Sequence, residues 1–136
     1  MGKRTIALLV ASAFAAPLPA IAAGLGKLTV FSGLGQPLRA EIEIVSLQRG
    51  EAETLSARLA PSEAFQQANI DFQPVLQQLR FAVERRTGNR YVINLSSVAP
   101  VNDPFVDALI ELSWANGRLV REYTFLLDPV DYKGPQ

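Results

Sequence analysis

Glu41 and Glu43 stand two residues apart in a segment that alternates apolar and charged side chains, so an extended backbone would put both carboxylates on one face. Paired carboxylates can do glycoside hydrolysis. The same spacing is the ordinary charged outer face of a half-buried strand, and with no third residue or substrate groove evident around them the charged face is the preferred reading. Arg85, Arg86 and Arg90 cluster around Thr87-Gly88-Asn89. They read as a polar hairpin loop, or as a contact for an acidic partner or an anionic cell-wall polymer. Asn102-Asp103-Pro104 reads as a turn that opens a strand, because Asn and Asp bond nearby backbone and Pro fixes φ, with a binding loop as the alternative. The chain contains no histidine and no cysteine. That excludes a Ser-His-Asp triad, a Cys nucleophile, disulfides and thiolate metal sites, and removes the usual general base. Gly24, Gly26, Gly33 and Gly35 are not followed by a helix, which a phosphate cradle needs. No catalytic residue, cofactor site or metal site is assigned.

The elements that would hold these residues are strands. Residues 104–129 read as two long strands joined at Asn116-Gly117, a dipeptide that suits a two-residue turn with positive φ at both centres. On the first strand Val106, Ala108, Ile110, Leu112 and Trp114 share one face, and Asp107, Glu111 and Ser113 share the other, with Leu109 as the exception. On the second, Leu119, Tyr123, Phe125 and Leu127 share one face. Because both faces turn apolar near its end, this strand is expected inside a sheet. Earlier, residues 27–32 form a short strand after a flexible lead-in at 23–26. Residues 38–47 alternate with Leu38, Ala40, Ile42 and Ile44 inward. Residues 54–59 alternate with Leu55, Ala57 and Leu59 inward. Pro61-Ser62-Glu63 opens a short helix, with Ser62 near its cap and Phe65 and Ala68 on its buried side. Pro74 permits a further helical turn. Leu79, Phe81 and Val83 face inward on one strand, and Tyr91, Ile93 and Leu95 on its returning neighbour. Residues 96–103 read as a loop. The expectation is a mainly β fold: an antiparallel immunoglobulin-like β-sandwich of about seven strands with one or two short helical turns.

At 136 residues the chain has room for one domain. Residues 1–22 read as a cleavable signal peptide: Lys3 and Arg4 precede an apolar run that Pro17 and Pro19 break, and Ala20-Ile21-Ala22 offers a cleavage site before Ala23. The run is too short to cross about 30 Å of hydrocarbon as a helix. Residues 23–129 form the domain, and residues 130–136, which lack periodicity, begin a linker or tail. Of 13 basic residues two lie in the leader, leaving 11 against 13 acidic ones. That balance argues against nucleic acid as the partner.

Three stretches carry a resemblance: L-G-K-L-T-V-F-S-G-L-G-Q-P-L-R-A-E-I-E-I at 25–44, L-R-F-A-V-E-R-R at 79–86, and V-N-D-P-F-V-D-A-L-I-E-L-S-W-A-N-G-R-L-V-R-E-Y-T-F-L-L-D-P at 101–129. In order and spacing they resemble the N-terminal periplasmic domain of the FimV/HubP family of Gram-negative polar and pilus-assembly proteins. The resemblance implies a non-enzymatic, exported interaction domain in the periplasm. Its implied partners are envelope proteins, such as a pilus secretin, in type IV pilus assembly, twitching motility and polar organisation. It also implies hub proteins that continue into a linker, a peptidoglycan-binding module of LysM type, a membrane helix and an acidic cytoplasmic region. None of these further modules is in this sequence, so wall or membrane anchoring is expected only where a longer chain supplies it. The alternative function is a peptidoglycan- or carbohydrate-binding module. It would need a row of exposed aromatics, whereas Tyr91, Tyr123 and Tyr132 are scattered and Trp114 lies on a core face.

Overall fold

The computed structural model describes residues 23–129. Seven strands run through it: β1 (Gly24–Val30), β2 (Pro37–Val45), β3 (Ser56–Leu59), β4 (Arg80–Arg86), β5 (Arg90–Pro100), β6 (Phe105–Trp114) and β7 (Gly117–Leu126). One short helix, α1 (Ser62–Gln67), and single 3-10 turns fill the connections. The strands form two antiparallel sheets, ordered β1-β2-β5-β4 and β3-β6-β7. This is the antiparallel β-sandwich that the strand periodicity predicts.

The core follows from alternation. Leu38, Ala40, Ile42 and Ile44 of β2 and Ile93 and Leu95 of β5 are buried on the inner face of the larger sheet. Val106, Ala108, Ile110 and Leu112 of β6 and Tyr123 and Phe125 of β7 answer them from the smaller sheet. Phe65 of α1 is 1% exposed and meets Phe72 edge to face, centroids 4.9 Å apart. It is the anchor that makes so short a helix stable, because an isolated helix of this length would not form. The helix ends at Asn69, whose φ of 62° places it in the left-handed region that Asn tolerates. The expected cap and buried alanine differ: Ser62 makes no side-chain capping bond, since Pro61 itself is the entry residue. Ala68 is exposed because the helix has already turned away from the core there.

Four further expectations are corrected. The hairpin turn lies one residue earlier than Asn116-Gly117: Trp114 pairs with Gly117, so Ala115 and Asn116 are its corners. None of these positions has positive φ. Two contacts set this geometry. The Ala115 N–H donates to Thr54 Oγ1 at 3.0 Å, and a Cβ on Gly117 would stand 3.3 Å from Trp114 Cζ2. The glycine is a platform for the half-buried indole rather than a left-handed corner. Secondly, β7 is an edge strand, since its apolar outer-face residue Leu126 is 57% exposed rather than covered. Thirdly, the expected lead-in at 24–26 is the start of β1. Gly24 and Leu25 pair with Val45 and Ile44, and Ala23 and Leu25 are buried. Finally, β5 runs on to Pro100 where a loop was expected. The register with β2 slips between Pro37 and Arg39, and the buried Ser97 hydroxyl accepts the Leu38 N–H (2.8 Å) that the slip leaves without a ladder partner.

Candidate interaction surfaces

Three surfaces gather the residues singled out above. The first is the junction where the chain enters β6. Gly35 N–H donates to Val101 O at 2.7 Å, Val101 N–H to Gln36 O at 3.0 Å, Leu34 N–H to Asp128 O at 2.7 Å, and Leu127 N–H to Pro104 O at 3.0 Å. Three distant segments therefore share one backbone lattice. Asn102 is exposed and Asp103 half-buried beside it. Asn102-Asp103-Pro104 is the connection from β5 to β6 beside this lattice.

The second surface is the outer face of the larger sheet. Arg86 is ion-paired with Glu41 and, at 2.6 Å, with Glu84. Glu84 also accepts from Asn94 Nδ2 at 2.9 Å. The Arg86 guanidinium, with help from the Asn94 amide, holds the Glu84 carboxyl below its ordinary value. Val92, which pairs with Glu84 on this outward face, is 6% exposed. Arg85 reaches Asn89 Oδ1 at 2.8 Å and is exposed. Arg90 is exposed and, with Lys27, Glu43 and Tyr91, lines a groove of about 370 Å³. The arginines expected to form one cluster thus divide. Arg86 is neutralised within the sheet, and Arg85 and Arg90 flank the loop. Glu41 and Glu43 line the same groove, but Glu41 is occupied by Arg86.

The third surface is the outer face of the β6–β7 hairpin. Phe105 and Leu126 are directly opposed across the strands and are 63% and 57% exposed. Next to them Thr124 donates to Asp107, and further along Arg58 binds the buried Glu111 carboxylate at 3.0 Å. The Gln73 side chain completes the edge of β6 as a strand would: its amide donates to Phe105 O (3.1 Å) and accepts from Asp107 N–H (3.0 Å). Neither Phe105 nor Leu126 stands out by type alone. The signal that marks them is position, since each is apolar on a face whose other members are mainly polar.

Tyr123 belongs to the interior, and Trp114 is half-buried against the core cluster. Tyr123 is 7% exposed, and its hydroxyl donates to Gly26 O at 2.6 Å. Burial raises its phenol above the ordinary value, and Arg121, whose guanidinium lies 4.9 Å from the ring centroid, offsets part of that rise. Ala23 is buried at the foot of β1, while Ala22 lies outside the described residues.

Residues 23–130 match the family model described as the FimV N-terminal domain, an Ig-like domain. The chain belongs to the FimV N-terminal domain family. It is 40% identical over 110 residues to the motility hub protein FimV of Pseudomonas aeruginosa strain PAO1, and equally to that of strain UCBPP-PA14. The match covers 80% of this chain and 12% of each relative, so the chain spans about an eighth of the length of these FimV proteins. No solved structure matches. The FimV model spans both sheets, the junction at Asn102 and the whole hairpin.

Proposed function

We propose that this FimV-type domain is a non-enzymatic protein-interaction module of the cell envelope, acting in pilus or motility assembly. On this reading residues 1–22 are an export leader cleaved between Ala22 and Ala23, residues 23–129 are the working domain in the periplasm of a Gram-negative cell, and residues 130–136 begin a linker. The relatives named motility hub proteins support the assembly role. The observation that carries the interaction role is the β6–β7 hairpin. Its inner face is core, while one end of its outer face leaves the opposed pair Phe105 and Leu126 in water. Large apolar side chains grouped on an exposed sheet face are what a partner covers. Absence of histidine and cysteine from the whole sequence, and the engagement of Glu41 by Arg86, support a role without catalysis.

The test pairs two measurements on residues 23–136. Immobilised domain is exposed to periplasmic extract, and free domain is sedimented with peptidoglycan sacculi. Retention of a secretin or pilus-assembly protein, with the domain soluble beside sacculi, is the expected outcome. Saturable pelleting with sacculi and no retained protein would replace this reading with direct wall binding.

A further inference from the structure

At the Phe105 end of the hairpin's outer face, a groove is lined by charge of one sign, whereas the far end of that face carries Arg118 and the Arg58–Glu111 pair. Asp71, Asp107 and Glu122 line an open groove of about 480 Å³ together with Phe105, Gln73 and Ile70. No lysine or arginine lines it. Among the described residues none of these three carboxylates is in an ion pair. The larger sheet's outer face is the opposite case, because there Arg86 answers Glu41 and Glu84 internally. Two of the 13 basic residues lie in residues 1–22, leaving 11 against 13 acidic ones, so three carboxylates with no lysine or arginine among them, beside an exposed phenylalanine, are a feature of this groove more than of the composition.

We infer that the β6–β7 outer face docks a basic segment of a partner protein, with lysine or arginine side chains against Asp71, Asp107 and Glu122 and an apolar residue on the Phe105–Leu126 pair. This rests on the interaction-domain reading above and names the chemistry of the partner. Three properties favour that occupant. The carboxylates attract cations from solution, which raises the encounter rate. Phe105 is 63% exposed, and an aromatic ring attracts a guanidinium or ammonium more strongly as water leaves. The groove is held in place before binding, because Gln73 ties the segment after α1 to β6 through two hydrogen bonds at 3.1 and 3.0 Å. Little ordering is then required on binding. A second copy of this domain is a poorer occupant, since the face would present the same carboxylates to itself.

The test uses residues 23–136 and three synthetic peptides of equal length, followed by fluorescence anisotropy. In one peptide Lys alternates with Leu, in the second Glu replaces Lys, and in the third Ser replaces Leu. The Lys–Leu peptide is expected to bind and the Glu–Leu peptide not to. The Lys–Ser peptide should bind at least about tenfold more weakly than Lys–Leu, and raising salt to about 0.5 M should weaken Lys–Leu binding by a similar factor. The double reversal D71K/E122K and the single change Phe105→Ser should each abolish binding, with circular dichroism and melting temperature showing that both variants fold. Equal binding of the basic and acidic peptides, or binding that survives D71K/E122K in a folded protein, overturns the inference. So does self-association of the domain that Phe105→Ser removes, because it makes the patch a homodimer face. The extract experiment separates the two levels. If wild type and folded D71K/E122K retain the same assembly protein, the face is wrong while the interaction role stands. If neither retains any, the interaction role itself fails.

Discussion

Tyr123 joins the two sheets at one atom. Its hydroxyl from β7 satisfies the Gly26 carbonyl, and Arg121 satisfies the Leu25 carbonyl at 2.7 Å, where β1 bulges away from its ladder with β2. Removing the hydroxyl by Tyr123→Phe leaves a part-buried carbonyl without its partner, which costs about 1–2 kcal/mol. That is several degrees of melting temperature in a domain of this size. The same residue sets an alkaline limit. Burial raises the folded-state phenol above its ordinary value of 10.0, so the unfolded chain ionises first. The stability is therefore complete below about pH 10 and declines as pH climbs through the folded value. Urea titrations across this range should show wild type falling while Tyr123→Phe, weaker at neutral pH, runs flatter; parallel curves would refute the account. Glu84 gives the acid counterpart. Arg86 first and Asn94 second lower its carboxyl, so its contribution is present above the unfolded carboxylate value and is lost as pH falls through the folded one. The side chain is 39% exposed, so solvent and salt screen the effect. Glu84→Gln should shallow the loss of stability below about pH 4.3, and added salt should shrink the difference between the two proteins.

At the scale of elements, alternation reports which face of a strand is covered and says little about which neighbour it pairs with. The inward rows of β2, β4, β5 and β6 were legible because polar residues mostly alternate with them, although Val92, Leu109 and Glu111 are buried on the outward faces as well. The edge position of β7 was not, because apolar Leu126 suggests a covered strand whether a sheet neighbour or an absent partner covers it. The hairpin turn was misplaced because Asn-Gly has strong local chemistry, and tertiary contacts from Thr54 and Trp114 outweigh it. The start of β1 was illegible for another reason. Ala23-Gly24-Leu25-Gly26 has low strand propensity, and what makes it a strand is close approach to β2. A Cβ on Gly26 would lie 3.1 Å from Val45 Cγ1 and 3.5 Å from the Glu43 carbonyl oxygen. Gly26→Ala should therefore cost about 1 kcal/mol through crowding. Val45 is 41% exposed, so Val45→Ala alone should cost less than about 0.5 kcal/mol. If crowding is the cause, the double variant recovers much of the loss, a coupling of about 0.5–1 kcal/mol in a denaturation cycle. Strict additivity would place the cost in the backbone of Gly26 instead.

Across the whole molecule, the core and the proposed docking surface use the two faces of one hairpin, and neighbouring residues separate them. The sequence marks the outer face only in part: Phe105 and Leu126 can be placed on it by counting, whereas Asp71 reaches the groove from the segment after α1, through a Gln73 side chain that no periodicity reveals. Phe125 and Leu126 are adjacent, apolar and of similar size, yet one is 0% exposed and the other 57%. Phe125 fills the space between the sheets, so Phe125→Ala removes buried surface and leaves a cavity, at about 3–5 kcal/mol. Against a total of about 5–15 kcal/mol, that brings the domain close to unfolding. Leu126→Ala removes a side chain already in water and should change stability by no more than about 0.5 kcal/mol. Its effect should instead appear in binding, as weaker retention of the Lys–Leu peptide by a domain that melts like wild type. A large loss of stability from Leu126→Ala would show that this face is covered within the domain itself and is closed to any partner.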